Sequence, residues 1–195
     1  MSFRVENKFI INNEDIFNFK NKIIRKGNKL FEDRIVKSIY FDNSFFSSYH
    51  DSTEGLLPRK KIRIRSYDNV EKFSLEKKIS SVEGRFKTSH EIKKSFYINY
   101  LENGLYDLDY KDCLPVISVE YIRSYYNLKN IRFTLDRNIK YSHYQSNLKI
   151  NESYNVVEIK STSDFDFDIC YIFFSYLTKS RFSKYTRAVD AFSDI

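Results

Sequence analysis

The sequence predicts an α+β fold in which helices pack outside an antiparallel β-sheet or barrel. Stretches that alternate apolar and polar residues recur along the chain, and period two is the signature of a strand with one buried face. Helical patterns fall at the two ends and in the middle instead of between every pair of strands, which argues against a parallel α/β sheet. The polar strand faces also mix carboxylates with lysine and arginine two residues apart, as a sheet closed around a charged lumen would require.

The basic stretch Arg59–Tyr67 shows the pattern best. Ile62 and Ile64 point to one face, while Lys61, Arg63 and Arg65 point to the other. Glu6 and Lys8 share a face in the first strand, Arg4–Ile11. Glu76 and Lys78 share one in Lys72–Ser80, Arg132 and Thr134 in Ile131–Tyr141, and Glu158 and Lys160 in Tyr154–Ser161. A single charged strand face is ordinarily just solvated, and lysine-rich edges also block aggregation. Repetition over several strands with strongly apolar opposite faces favours a functional face.

The remaining elements follow from local signals. Asn12 or Asn13 caps a helix with Glu14 and Asp15 in its first turn. Ile16, Phe17, Phe19, Ile23 and Ile24 form its apolar stripe, and Gly27 ends it. Ile35–Phe41 reads as a strand and Phe45–Gly55 as a short helix with a loop. Asp68-Asn69 and Ser81–Gly84 are turns, and Arg85–Glu91 is ambiguous between strand and loop. A helix is expected over Ile92–Asn103, stopped by Gly104, and Pro115 precedes a strand over Val116–Tyr126. Asp164–Lys179 has helical periodicity, Ser183-Lys184-Tyr185 reads as a loop, and a short helix ends the chain.

Composition bounds the function. A chain of 195 residues with 42% hydrophobic and 30% charged residues is expected to form a single domain spanning 1–195. Gly 4 and Pro 2 are low, so elements are long and loops few; Phe 18 and Tyr 16 make the core aromatic. The net charge of +7 favours an anionic partner such as nucleic acid, nucleotide, polyphosphate or anionic lipid. Lys, Asn, Ile, Phe and Tyr are also what AT-rich codons supply, so part of this basicity carries no functional information. No signal-peptide pattern opens the chain, and the apolar run Ile169–Leu177 is too short to span a bilayer. With Cys113 and Cys170 read as free structural thiols, the expected location is cytoplasmic.

Several chemistries are excluded by their motifs. Gly84–Thr88 contains Lys-Thr but not the glycine spacing of a Walker A loop. There is no dinucleotide fingerprint, no paired-cysteine zinc motif and no His-Glu-x-x-His; His50, His90 and His143 are scattered, and no nucleophile motif is present. What remains is cations with carboxylates, which suits phosphoryl transfer. Arginine forks grip phosphate, lysines act as point charges, and carboxylates hold Mg²⁺ or Mn²⁺.

An ordered series of short motifs resembles the VTC domain, the catalytic domain of polyphosphate polymerases in the triphosphate tunnel metalloenzyme (CYTH-like) superfamily. It comprises Arg4-x-Glu6-x-Lys8-Phe9, Tyr40-Phe41-Asp42-Asn43, Arg63-x-Arg65-x-Tyr67, Leu75-Glu76-Lys77-Lys78, Tyr121-x-Arg123 after Pro115, Arg132-x-Thr134-x-Asp136, Glu158-x-Lys160 and Ser183-Lys184-Tyr185. The resemblance implies an antiparallel β-barrel tunnel, the triphosphate tunnel fold. It implies that Lys8, Arg63, Arg65, Lys78, Arg123, Arg132, Lys160 and Lys184 line it, bind triphosphate or polyphosphate and serve catalysis. It implies Glu158 as the metal ligand, and Glu6 is a plausible second. Arg4 stands where the cyclase and thiamine-triphosphatase branches carry glutamate, which fits the VTC branch better. Eukaryotic members also carry SPX and membrane domains; the expectation here is a catalytic domain without them, so the resemblance does not extend to coupling with translocation.

The resulting expectation is a Mn²⁺- or Mg²⁺-dependent polyphosphate polymerase that transfers the γ-phosphoryl of ATP to a growing chain inside the tunnel. A tunnel-fold triphosphatase acting on tripolyphosphate or a nucleoside triphosphate shares nearly every residue. A non-catalytic polyphosphate or nucleic-acid binder is the third reading. Nucleic acid is not the expected partner, because carboxylates among the cations oppose binding to its backbone.

Overall fold

The computed structural model describes residues 5–68, 70–128, 131–161 and 177–193. Along the chain the elements are β1 (Val5–Ile11), α1 (Asn13–Lys26), β2 (Asn28–Asp42), α2 (Ser47–Glu54), β3 (Arg59–Tyr67), β4 (Phe73–Ser81), β5 (Gly84–Ile92) and α3 (Lys94–Asn103). There follow β6 (Leu105–Asp107), β7 (Lys111–Leu128), β8 (Ile131–His143), β9 (Lys149–Asn151), β10 (Asn155–Ser161), β11 (Thr178–Lys179) and α4 (Lys184–Asp190). The chain divides into two compact units. The first comprises Met1–Arg34, Tyr121–Ile139 and Asn151–Phe182; the second comprises Ile35–Glu120, Lys140–Ile150 and Ser183–Ile195.

In the first unit the strand order is β11-β1-β10-β8-β7. β10 is antiparallel to both β1 and β8, with Glu158 opposite Lys8 on one side and Thr134 on the other. The side chains of Phe9, Ile11, Val157, Ile159, Phe133 and Leu135 gather on the other face and pack with α1 through Phe19 and Ile23. Phe17 and Ile24, expected in that stripe, are 71% and 58% exposed. They lie seven residues apart, on a line that flanks the Phe19–Ile23 line instead of coinciding with it. Gly27 ends α1 for a packing reason: a Cβ there would lie 2.4 Å from the Asn127 carbonyl oxygen.

In the second unit the order β2-β3-β4-β5 is antiparallel throughout. Ile39, Phe41, Ile62, Ile64, Phe73, Leu105, Tyr110 and Cys113 form its core, covered by Tyr97, Tyr100 and Leu101 of α3. Phe73 and Tyr97 stack with ring centroids 3.8 Å apart. Burial pushes the free Cys113 thiol up to about 12, so it is a packing group with no reactive thiolate. Cys170 lies outside the described residues. Ile64 is 2% exposed, so Ile64→Ala is expected to destabilise the protein by roughly 2–5 kcal/mol. Urea denaturation of the variant checks it, and an unchanged midpoint would reverse the assignment of faces on β3.

The structure corrects several boundaries. β2 starts at Asn28, seven residues before the expected Ile35, because its first half is largely exposed and shows no apolar alternation. The ambiguous stretch is a full strand, β5, pairing with β4 along its length. Its side chains are mostly exposed, which hides the period. The helix expected from Ile92 starts at Lys94. β7 runs from Lys111 through Pro115, whose missing N–H costs a ladder bond only where the partner strand needs one. Of the expected helix 164–179, residues up to 176 lie outside the description, while Thr178 pairs with Ile10 and Lys179 with Phe9 as β11. Lys184 opens α4 instead of lying in a loop, and Ser183 is its N-cap, accepting from the Thr186 N–H.

Among the described residues neither unit's strand order returns to its own first strand, so backbone pairing within a unit does not close a ring. None of their helices is long and apolar enough to cross a membrane.

Candidate functional site

The first unit gathers one charged strand face. Cross-strand register places Glu6 beside Lys160 and Lys160 beside Arg132; one pleat on, Lys8 lies beside Glu158 and Glu158 beside Thr134. Lys160 Nζ sits 2.8 Å from Glu158 Oε1 and 3.7 Å from Glu6 Oε2. Lys8 Nζ is 3.9 Å from Glu6 and donates to the Phe182 carbonyl at 2.9 Å. Arg123 donates through Nε and Nη2 to the two oxygens of Asp136 at 2.5 and 2.7 Å, and its Nη2 is 3.7 Å from Glu158. Arg132 is exposed on the same face.

The electrostatics of this face centre on Glu158, which is buried. Burial alone would push its carboxyl up. Arg123, Lys160 and Lys8 override that and hold it well below the usual carboxylate range. Burial likewise opposes the charge on Arg123, and the fully buried Asp136 more than compensates. Glu158 and Glu6 converge on one lysine ammonium, so both point oxygens toward a common region. Thr134 Oγ1, opposite Glu158, is buried with no hydrogen-bond partner among the described residues, which adds a neutral oxygen. Those described residues contain no cluster of three or more His, Cys, Asp or Glu suited to a metal. An oxygen donor set of one or two carboxylates nevertheless suits Mg²⁺ or Mn²⁺, which complete their shells with water and substrate phosphates.

The second unit carries the other charged face. Here Arg63 lies between Tyr40 and Glu76, Arg65 between Ser38 and Ser74, and Lys78 between Lys61 and Lys87. Glu76 is the hub. Arg63 reaches it through Nε at 2.8 Å and Nη2 at 2.6 Å, Lys87 Nζ at 2.6 Å and Arg65 Nη1 at 3.6 Å. Burial raises the Glu76 carboxyl, but Arg63, Arg65 and Lys87 bring it down to about 2. Arg63 Nη1 also donates to the Tyr40 hydroxyl at 3.0 Å. Lys61 donates to Ser183 at 2.7 Å, next to the half-buried Lys184.

Parity separates these cations from their neighbours. Lys60 and Lys77 lie on the opposite face, each 2.7 Å from the buried Asp107, and hold the β6 turn. The expected site residues thus fall into two groups: Glu6, Lys8, Arg123, Arg132, Glu158 and Lys160 in the first unit, and Arg63, Arg65, Lys78 and Lys184 in the second. Arg4 lies outside the described residues. Sequence reasoning did not place Glu76, Lys87, Tyr40 or Asp136 among the site residues. Glu76 carried a signal in its two-residue spacing from Lys78; Lys87 carried none, since it enters only through the register of β4 with β5.

Comparison with known proteins agrees with this architecture. Among solved structures, a protein of Bacillus halodurans described as a candidate adenylate cyclase superposes with a TM-score of 0.67 at 14% identity, covering 93% of this chain and 94% of that one. A Hippeastrum protein, described as a candidate adenylyl cyclase with a dominant triphosphatase activity, gives 0.66 at 13% identity, covering 98% and 96%. The PH1819 protein of Pyrococcus horikoshii gives 0.62 at 16% identity, covering 97% and 99%. At these identities the likeness concerns the fold, and the fold is the triphosphate tunnel fold. Curated proteins give no match. The family profile of the VTC domain matches residues 3–112 and 106–193, which together take in nearly the whole sequence. By this match over nearly its whole length, the chain belongs to the VTC domain family.

Proposed function

We propose that this chain is a metal-dependent polyphosphate polymerase. It transfers the γ-phosphoryl group of ATP to the end of a growing polyphosphate chain, whose phosphates are held by the arginines and lysines of the charged strand faces. The observation that carries the reading is the arrangement around Glu158. A buried, ionised carboxylate is ringed by Lys160, Lys8 and Arg123 in a chain of the VTC family. A polyanion alone would not call for that carboxylate; a polyanion with a divalent ion does.

Glu158, with Glu6 beside it, would hold Mg²⁺ or Mn²⁺. Such an ion, when bound, supplies charge neutralisation on phosphate oxygens. The chain's own residues do the rest. Arg63 and Arg65 offer planar forks to phosphate, while Lys8, Lys78, Lys160 and Lys184 supply point charges. Glu76 and Asp136 hold Arg63 and Arg123 in fixed orientations before substrate arrives, so little reorganisation remains at the transition state. In the transfer, the bond from the γ-phosphorus to its bridging oxygen breaks, ADP leaves with that oxygen, and a terminal phosphate oxygen of the chain forms the new bond.

A second reading is hydrolysis, with water as the attacking group. It is favoured by the triphosphatase activity ascribed to the Hippeastrum structure that shares this fold. Incubation of the pure protein with ATP and Mn²⁺ separates the two readings. Polymerisation yields ADP and chains resolved on a gel; hydrolysis yields free phosphate without chains. If neither product forms, and tripolyphosphate in millimolar excess leaves the melting temperature unchanged, both readings fail. For a bound anion at about 100 times its dissociation constant, roughly 2.7 kcal/mol of stabilisation is expected.

A further inference from the structure

We infer that the Tyr40 hydroxyl is a further phosphate-contact group, donating a hydrogen bond to a phosphate oxygen bound beside Arg63 and Arg65. This rests on the anion-site reading above and adds to it a neutral donor from β2.

Tyr40 belongs to the Tyr40-Phe41-Asp42-Asn43 motif, which the proposed chemistry leaves without a role. Its side chain is on the charged face of β2, opposite Arg63 across the ladder, and it is 94% buried, at 6% relative exposure. The phenol oxygen accepts from Arg63 Nη1 at 3.0 Å, so its own O–H must point elsewhere. Among the described residues no acceptor meets that O–H. A buried donor without an acceptor is costly, and a site that keeps one has a use for it.

The surroundings say which acceptor fits. Arg63, Arg65 and Lys184 all act on the hydroxyl, and together they bring its ionisation below the usual tyrosine value although burial opposes this. The carboxylate that Arg63 meets is Glu76, which is already held by Arg63 and Lys87. An incoming oxyanion gains from all three cations and accepts the O–H as well.

The ring is also fixed in advance. Tyr185 stacks on Tyr40 at 5.0 Å between centroids and 22° between planes. Tyr185 in turn donates its hydroxyl to the buried Asp42, which accepts backbone N–H bonds from Asn43, Ser48 and Tyr49. A donor on a locked ring loses little entropy when the ligand binds.

Titration calorimetry of tripolyphosphate into wild-type and Tyr40→Phe protein tests the inference, with the melting temperature of each empty protein measured alongside. Phenylalanine keeps the stack on Tyr185 and removes one oxygen. The expected result is about tenfold or greater weakening, the scale of a hydrogen bond to a charged group, with the empty protein's melting temperature within a few degrees of wild type. Wild-type affinity in Tyr40→Phe overturns the inference and leaves the anion site standing. An affinity loss accompanied by a large fall in melting temperature also overturns it, because packing then explains the loss. If wild-type protein itself binds no tripolyphosphate, the anion-site reading fails first and takes the inference with it.

Discussion

Glu158→Gln is expected to slow metal-dependent turnover of ATP by orders of magnitude while leaving tripolyphosphate bound as tightly as before, or more tightly. Glutamine keeps the shape and the oxygen nearest Lys160 but loses the charge that Arg123, Lys160 and Lys8 hold in place. A divalent ion loses its best ligand, whereas an anion meets a face with one more unit of net positive charge. The competing explanation is that Glu158 is only the counter-ion of Lys160, 2.8 Å away. On that explanation the variant frees a lysine, changes stability modestly and leaves turnover near wild type. ATP consumption measured against Mn²⁺ concentration, beside tripolyphosphate affinity without metal, separates the two. Wild-type turnover in Glu158→Gln would end the metal assignment.

The role of Glu158 came from the family resemblance; that it shares a face with Lys160 could be read from sequence alone, because period two is a local property. Within one strand it needs no partner to tell that Glu158 and Lys160 share a face, or that Arg63 and Arg65 oppose Ile62 and Ile64, and the burial of Ile62 and Ile64 agrees. What alternation cannot supply is register, which depends on residues far away in the chain. That Glu76 lies opposite Arg63, and that Lys87 reaches Glu76 from β5, follows from pairing alone. The same holds for Lys60 and Lys77, whose charge hides that they serve Asp107 on the core side. Helix α1 shows the complementary limit. Apolar residues at Phe17 and Ile24 widen the stripe on paper, but it is Phe19 and Ile23, with Ile16 beside them, that pack into the core. Exposure conceals structure as well, since β5 and the first half of β2 are strands held by ladder bonds with little apolar burial to mark them.

Asp136→Ala is expected to destabilise the empty protein by about 3–5 kcal/mol, because it strands Arg123 without its partner. Asp136 has no exposed surface, and both of its oxygens are committed to the Arg123 fork. Its removal leaves the guanidinium with Glu158, at 3.7 Å, as a more distant carboxylate. Against a total stability of about 5–15 kcal/mol, that loss is large. At this chain length it corresponds to a fall in melting temperature on the order of 10 °C. Two further measurements make the cause specific. If Arg123 serves bound phosphate as well as Asp136, tripolyphosphate should recover more stability in Asp136→Ala than it adds to wild type, because the anion takes over the lost counter-charge. A double variant, Arg123→Met with Asp136→Leu, should regain most of the stability, since replacing a largely buried pair by apolar groups removes the desolvation penalty together with the attraction. That double variant should also lose the extra stabilisation by tripolyphosphate. Were it as unstable as Asp136→Ala alone, the loss would belong to Asp136 and its packing, and Arg123 would have no claim to being held ready for an anion.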